Sequence, residues 1–106
     1  MAQFDVHRYP GRGHDGIAYV VVLQSSYFDG YHRRVVIPLV KKSGFGGNWP
    51  ARFVPTLTVM GEQVVLVPLD VFSLPADKLG KPVASLADHG QQIIDAMDEL
   101  TMRAYG

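Results

Sequence analysis

Alternation of apolar and polar positions organises the first two thirds of the chain. In Gln3–Tyr9 (QFDVHRY), Phe4, Val6 and Arg8 fall on one side and Asp5, His7 and Tyr9 on the other. That is the period-two pattern of a strand with one apolar face. Pro10 closes it, and the stretch PGRGHDG consists of turn-formers. Ile17–Ser25 (IAYVVVLQS) is dense in β-branched and aromatic residues and predicts a strand covered on both faces. Ser26–His32 reads as a turn around Asp29-Gly30. Arg33–Val40 (RRVVIPLV) is a third strand, in which Pro38 predicts a sheet edge or a bulge at the far end.

Lys41–Arg52 (KKSGFGGNWPAR) has three glycines and a proline, so it predicts a long surface loop of the kind used for contacts. Pro55–Met60 and Gln63–Leu69 are two β-rich runs across Gly61-Glu62, the clearest hairpin of the sequence. Asp70–Ala84, with two prolines and a glycine, predicts short strands and turns. The period then changes. Ser85-x-x-Asp88 resembles a capping box, and Leu86, Ile93, Met97, Leu100 and Ala104 recur at helical spacing while Asp95, Asp98 and Glu99 lie off that stripe. A helix over Leu86–Met102 follows. Five or more strands followed by one helix give a mostly β, α+β fold: a small antiparallel barrel or sheet with the helix packed at one side.

Composition narrows what such a domain can do. At 106 residues there is room for one domain spanning 1–106, and dimerisation would help so short a chain bury surface. Ten basic and ten acidic residues cancel, so no global field draws the protein to nucleic acid. The absence of cysteine removes disulfides, thiolate metal sites and thiol nucleophiles, and suits a reducing compartment. Met1–Asp5 lacks the order of a signal peptide, and the longest apolar run, Ile17–Leu23, is too short to span a bilayer. The expectation is a cytoplasmic protein with no membrane partner.

Candidate chemistry is sparse. Gly11–Gly16 matches G-x-G-x-x-G, but a strand follows it where a dinucleotide site needs a helix. His7, His14, His32 and His89 show no metal-ligand spacing and read as scattered surface histidines. No serine stands on a nucleophile elbow. No cofactor and no metal are expected. His32-Arg33-Arg34 is the one catalytic candidate: a histidine can move protons and arginines can stabilise a phosphorane, as a metal-independent ribonuclease requires. The competing reading is charge solvating a strand end. Trp49-Pro50, with Phe45 and Phe53, places large rings in or beside a loop, either as anchors to the core or as a partner site.

Gln3-Phe4, Val6 and Tyr9; Val22, Gln24 and Ser25; Arg33-Arg34 and Val36-Ile37-Pro38-Leu39; Ser73 and Pro75; Val83 and Leu86; and Ile94, Ala96 and Leu100 form an ordered set over nearly the whole chain. Together they resemble the CcdB family, the plasmid and chromosomal toxins of toxin–antitoxin modules. The resemblance implies an SH3-like barrel of the CcdB/MazF type with an added small sheet and a C-terminal helix, forming a homodimer. It implies a toxin that poisons DNA gyrase by binding its A subunit, without catalysis, and that is removed by a CcdA-like antitoxin with a disordered C-terminal tail. Contact with nucleic acid would come only through the antitoxin complex.

The alternatives are a MazF/Kid-like endoribonuclease using His32, Arg33 and Arg34, and a non-toxic homologue that keeps only antitoxin binding. Gyrase poisons of the family finish Trp-Gly-Ile. Here Tyr105-Gly106 can be laid over Trp-Gly without the isoleucine, whereas an ungapped helix alignment puts Met102-Arg103-Ala104 there. Losing a terminal isoleucine forfeits roughly 1.5–3 kcal/mol of burial. Met102, Arg103, Tyr105 and Gly106 are the expected gyrase contacts. Arg8, Arg12, His14, Lys41, Lys42, Phe45 and Trp49, on or beside two glycine-rich loops, are the expected antitoxin contacts.

Overall fold

The structure, a computed structural model, describes residues 2–11 and 16–105. Among these residues seven strands form: β1 (Asp5–Arg8), β2 (Ile17–Val22), β3 (Arg33–Lys41), β4 (Thr56–Val59), β5 (Glu62–Leu66), β6 (Phe72–Pro75) and β7 (Ala84–Ser85); an α-helix, α1 (Gly90–Tyr105), ends the order. Among the described residues the strands pair antiparallel, in the order β4-β5-β3-β2-β1-β7, with β6 paired to β3 off that path. The result is a nearly closed antiparallel barrel with the helix packed on it, the SH3-like α+β fold that the resemblance implies.

β3 organises the sheet. One edge pairs with β2 from Val36 to Val40; the other pairs first with β6 over Arg33–Val36 and then with β5 over Leu39–Lys41. Pro38 lies between the two partners. Its carbonyl accepts from Val67 N at 3.1 Å on that side. Because a strand residue points its N–H and C=O to the same side, the donor that proline lacks faces the seam where β6 has ended and β5 begins. Pro38 is therefore not at a sheet edge: it is buried mid-strand, and the register shift falls in β2 between Ile17 and Tyr19.

Both faces of β2 and β3 are covered. Tyr19, Val21, Ile37 and Leu39 join the main core with Leu57, Val64, Leu66 and, from the helix, Ile93 and Ala96. Val20, Val22 and Val36 join a second cluster closed by Leu74 and Leu79. β1 is covered on both faces too. Val6 and His7 are each fully buried, which corrects the surface reading of that histidine. The turn after Leu79 lies over the second face, and His7 Nδ1 lies 2.8 Å from the Gly80 carbonyl oxygen. Of the other histidines, His32 and His89 are exposed and His14 lies outside the described residues.

The helix begins later than the apolar stripe suggests. Leu86 is tied to the first strand by Leu86 N donating to Phe4 O at 2.9 Å, and Ala87–His89 form a 3-10 turn before α1 starts at Gly90. Ser85 Oγ accepts from Ala87 N at 3.2 Å, so the hydroxyl caps that turn and not the α-helix. Phe4, at φ 69°, takes the left-handed conformation that few large residues adopt. Its ring packs against Gly90, where a Cβ would stand 2.6 Å from Phe4 Cε2.

Alanine at position 90 gains up to ~1 kcal/mol of helix propensity but must displace a packed ring, which costs about 1–3 kcal/mol. We expect Gly90→Ala to lower the unfolding free energy in urea by roughly 1–2 kcal/mol on balance. A gain in stability would show that the Phe4 contact does not fix the helix start.

Candidate functional site

The described residues expected to meet an antitoxin fall on one end of the barrel. β1 ends at Arg8, β2 begins at Ile17 and β3 ends at Lys41, so antiparallel pairing brings these positions together, with Lys41 N donating to Gly16 O at 3.4 Å. The Arg8 guanidinium stands 5.9 Å from the Tyr19 ring centroid, an exposed charge over an aromatic face. Lys41 Nζ faces Glu62 Oε2 at 3.6 Å, and Lys42 opens a short 3-10 turn, Lys42–Gly44, that leads to Phe45. Arg12 and His14 lie outside the described residues.

Trp49 is 47% exposed and Phe45 is half-buried. Gly47, at φ +105°, underlies the indole: a Cβ there would meet Trp49 Nε1 at 2.6 Å. The ring thus rests on a bare backbone. On one side of it a cleft of about 350 Å³ opens among Phe45, Trp49, Phe53, Val67, Leu69 and Asp70. Phe53 also walls a second cleft, about 340 Å³, with Pro50, Arg52 and Glu99. Across that cleft Arg52 Nε pairs with Glu99 Oε1 at 2.9 Å, tying the loop to α1.

Three residues beyond Glu99, Met102 is 68% exposed on the helix's outer side. The helical backbone continues to Tyr105; the side chains of Arg103 and Tyr105, and Gly106, lie outside the described set. The expected target contacts and the expected antitoxin contacts are therefore joined through the Pro50–Phe53 segment.

The ribonuclease candidates are differently placed. Arg34 is buried, with Nη1 donating to the Tyr31 and Arg33 carbonyls at 2.6 and 3.0 Å and Nη2 to the Asp29 carbonyl at 2.8 Å. Its guanidinium holds the Asp29–Arg33 turn and is turned away from solvent. Arg33 is exposed but donates from Nε to Ser73 Oγ and from Nη2 to Ser73 O, at 3.0 and 2.9 Å. His32 is exposed beside them. Two of the three side chains hold the fold together at this corner. Among the described residues, no group of three or more histidine and acidic side chains could hold a metal ion.

The turn that Arg34 supports presents what the sequence reading overlooked. Tyr27, Phe28 and Tyr31 form an exposed ring cluster, with centroids 5.0 and 5.9 Å apart and Tyr27 84% exposed. Beside it Gln24 closes the free edge of β3: its Oε1 accepts from Val35 N at 2.6 Å and its Nε2 donates to Arg33 O at 3.3 Å. The available signal was three aromatic residues inside a Ser/Asp/Gly turn, the same criterion that singled out Trp49.

The small barrel offers exposed rings and an exposed side chain, Met102, near the end of its helix. Its family is specific. The model of the CcdB protein family matches residues 3–102, so this chain belongs to the CcdB family, the toxins of toxin–antitoxin modules. None of the curated proteins matches it. Among the described residues, no helix is long and apolar enough to cross a membrane.

Substituting Gly47 by alanine adds a Cβ under the indole and strains a positive φ, at about 1–2 kcal/mol. We expect Gly47→Ala to shift the emission of Trp49, the chain's only tryptophan, while the cooperative unfolding transition persists. Unchanged emission would mean that the ring does not rest on Gly47.

Proposed function

We propose that this protein is a toxin that binds the A subunit of DNA gyrase and traps the enzyme on cleaved DNA, and that a CcdA-like antitoxin with a disordered tail reverses it. The observation that supports this reading best is family membership over residues 3–102 together with a C-terminal helix whose last described side chain, Met102, stands out in solvent. A flexible thioether on an exposed helix end suits docking into another protein's groove. Arg103, Tyr105 and Gly106 would extend the contact, with the Tyr105 ring in the role that the family gives to tryptophan. The action is by binding. Arg34, which a ribonuclease would need free, is buried and commits both terminal nitrogens to backbone carbonyls of its own turn.

The antitoxin would lie along Arg8, Lys41, Lys42, Phe45 and Trp49, with Arg12 and His14 in the adjoining loop. A tail of acidic or mixed charge suits the basic rim, and it would fold as it binds. A homodimer suits a chain that leaves Tyr27, Phe28, Tyr31, Trp49, Met60, Leu69, Ile94 and Met102 exposed. A cytoplasmic location follows from the proposed target.

Supercoiling and cleavage-complex assays test the proposal. The intact protein should inhibit supercoiling and accumulate cleaved DNA. Removing Tyr105 and Gly106, or introducing Met102→Asp, should weaken both effects at least about tenfold, the loss of one well-packed anchor. Full activity in the truncated protein would exclude the tail as the gyrase contact, and no inhibition by the intact protein would overturn the reading.

A further inference from the structure

Within the apolar cleft beside Trp49 one charged group stands apart. Phe45, Trp49, Phe53, Val67 and Leu69 supply rings and aliphatic carbon, and Asp70 supplies a carboxylate. Among the described residues, Asp70 has no side-chain hydrogen bond or ion pair, and it is exposed at the end of the 3-10 turn Pro68–Asp70. A purely apolar anchor seated here would strip water from that carboxylate and give it nothing in return, which is costly. An acidic anchor would add repulsion. A long basic side chain meets both demands, because its methylene stem packs on apolar walls while its head keeps a charge partner. The indole face adds a cation–π site for the same head.

We propose that this cleft is a socket for an arginine or lysine of the antitoxin's extended segment, with the stem among Phe53, Val67 and Leu69 and the cationic head between Trp49 and Asp70. The inference rests on the antitoxin reading only for the identity of that segment. Trp49 also borders a neighbouring cleft of about 260 Å³, which Lys42 lines with Thr56 and Val65. Lys42 has no ion pair among the described residues. A segment crossing Trp49 therefore presents a base to one side and an acid to the other. That mixed pattern distinguishes it from a simple polyacidic tail, which the rim lysines alone would attract.

Trp49 reports its own occupancy, since no other tryptophan contributes. The full-length protein is titrated with the peptide acetyl-Leu-Glu-Leu-Arg-Leu-amide and with its citrulline counterpart, which keeps the stem and planar head but loses the charge and exchanges one NH2 donor for an oxygen acceptor. We expect a saturable shift of Trp49 emission, with the arginine peptide binding about fivefold or more tighter than the citrulline peptide. That preference should fall in Asp70→Asn to the part that the indole alone supplies; the comparison on the unmodified protein stands by itself if the variant does not fold. Equal affinity of the two peptides, or no saturable change with either, overturns the socket. A protein that prefers the arginine peptide but does not trap gyrase keeps the socket and loses the toxin reading. One that traps gyrase yet binds both peptides alike keeps the toxin reading and loses the socket.

Discussion

Strand β3 keeps one neighbour along one edge and exchanges neighbours along the other, and Pro38 occupies the point of exchange. A proline in a fully paired central strand would leave a buried carbonyl opposite a missing donor. Here the missing donor faces the gap between β6 and β5, while the Pro38 carbonyl still accepts from Val67 N. The two halves of the sheet are then free to turn apart. The β5–β4 half curls over the main core and receives the helix, while β6 folds across the opposite face onto Val20, Val22 and Val36. Each exposed ring surface hangs from one half: the Trp49 loop from the first, the Tyr27–Tyr31 ring cluster from the corner where β6 meets β3.

What was legible in the sequence is what local pattern encodes. The apolar run from Ile17, the β-rich run from Arg33 and the hairpin around Gly61 each announce their strands, because their side chains meet neighbours at short range or on both faces. What was not legible depends on contacts far apart in the chain. Val6 and His7 alternate as apolar and polar, yet both are buried, because Leu79 and Gly80 arrive over the polar face from more than seventy residues away. Leu86 fits the helical stripe, yet its N–H is committed to Phe4, so the α-helix waits for Gly90. Pro38 was read as a marker of an edge or a bulge; a register shift does lie nearby, in β2 opposite Leu39 and Val40, but a single sequence does not show that two strands share one side of a third.

The surfaces divide in the same way. Lys41, Lys42, Phe45 and Trp49 drew notice because a glycine-rich loop with large rings is odd on its own terms, and in the structure two clefts border the Trp49 indole. Arg34 was misjudged because an arginine at a strand start looks solvated. Only the turn geometry reveals three carbonyls converging on its guanidinium. Tyr27, Phe28 and Tyr31 were passed over as a turn, although the rings that make them conspicuous are plain in the sequence. The Arg52–Glu99 pair, which joins the loop to the helix, links residues 47 positions apart and had no local signature.

The helix end is the target contact proposed for this fold. Hydrogen exchange of the full-length protein, alone and saturated with the gyrase A subunit, tests this most directly. The account predicts that amides from Glu99 to Tyr105 slow on complex formation by at least about tenfold, as expected where a bound partner suppresses local opening. Unchanged exchange over the last two turns of the helix, with protection confined to β1, β2 and the Trp49 loop, would contradict it.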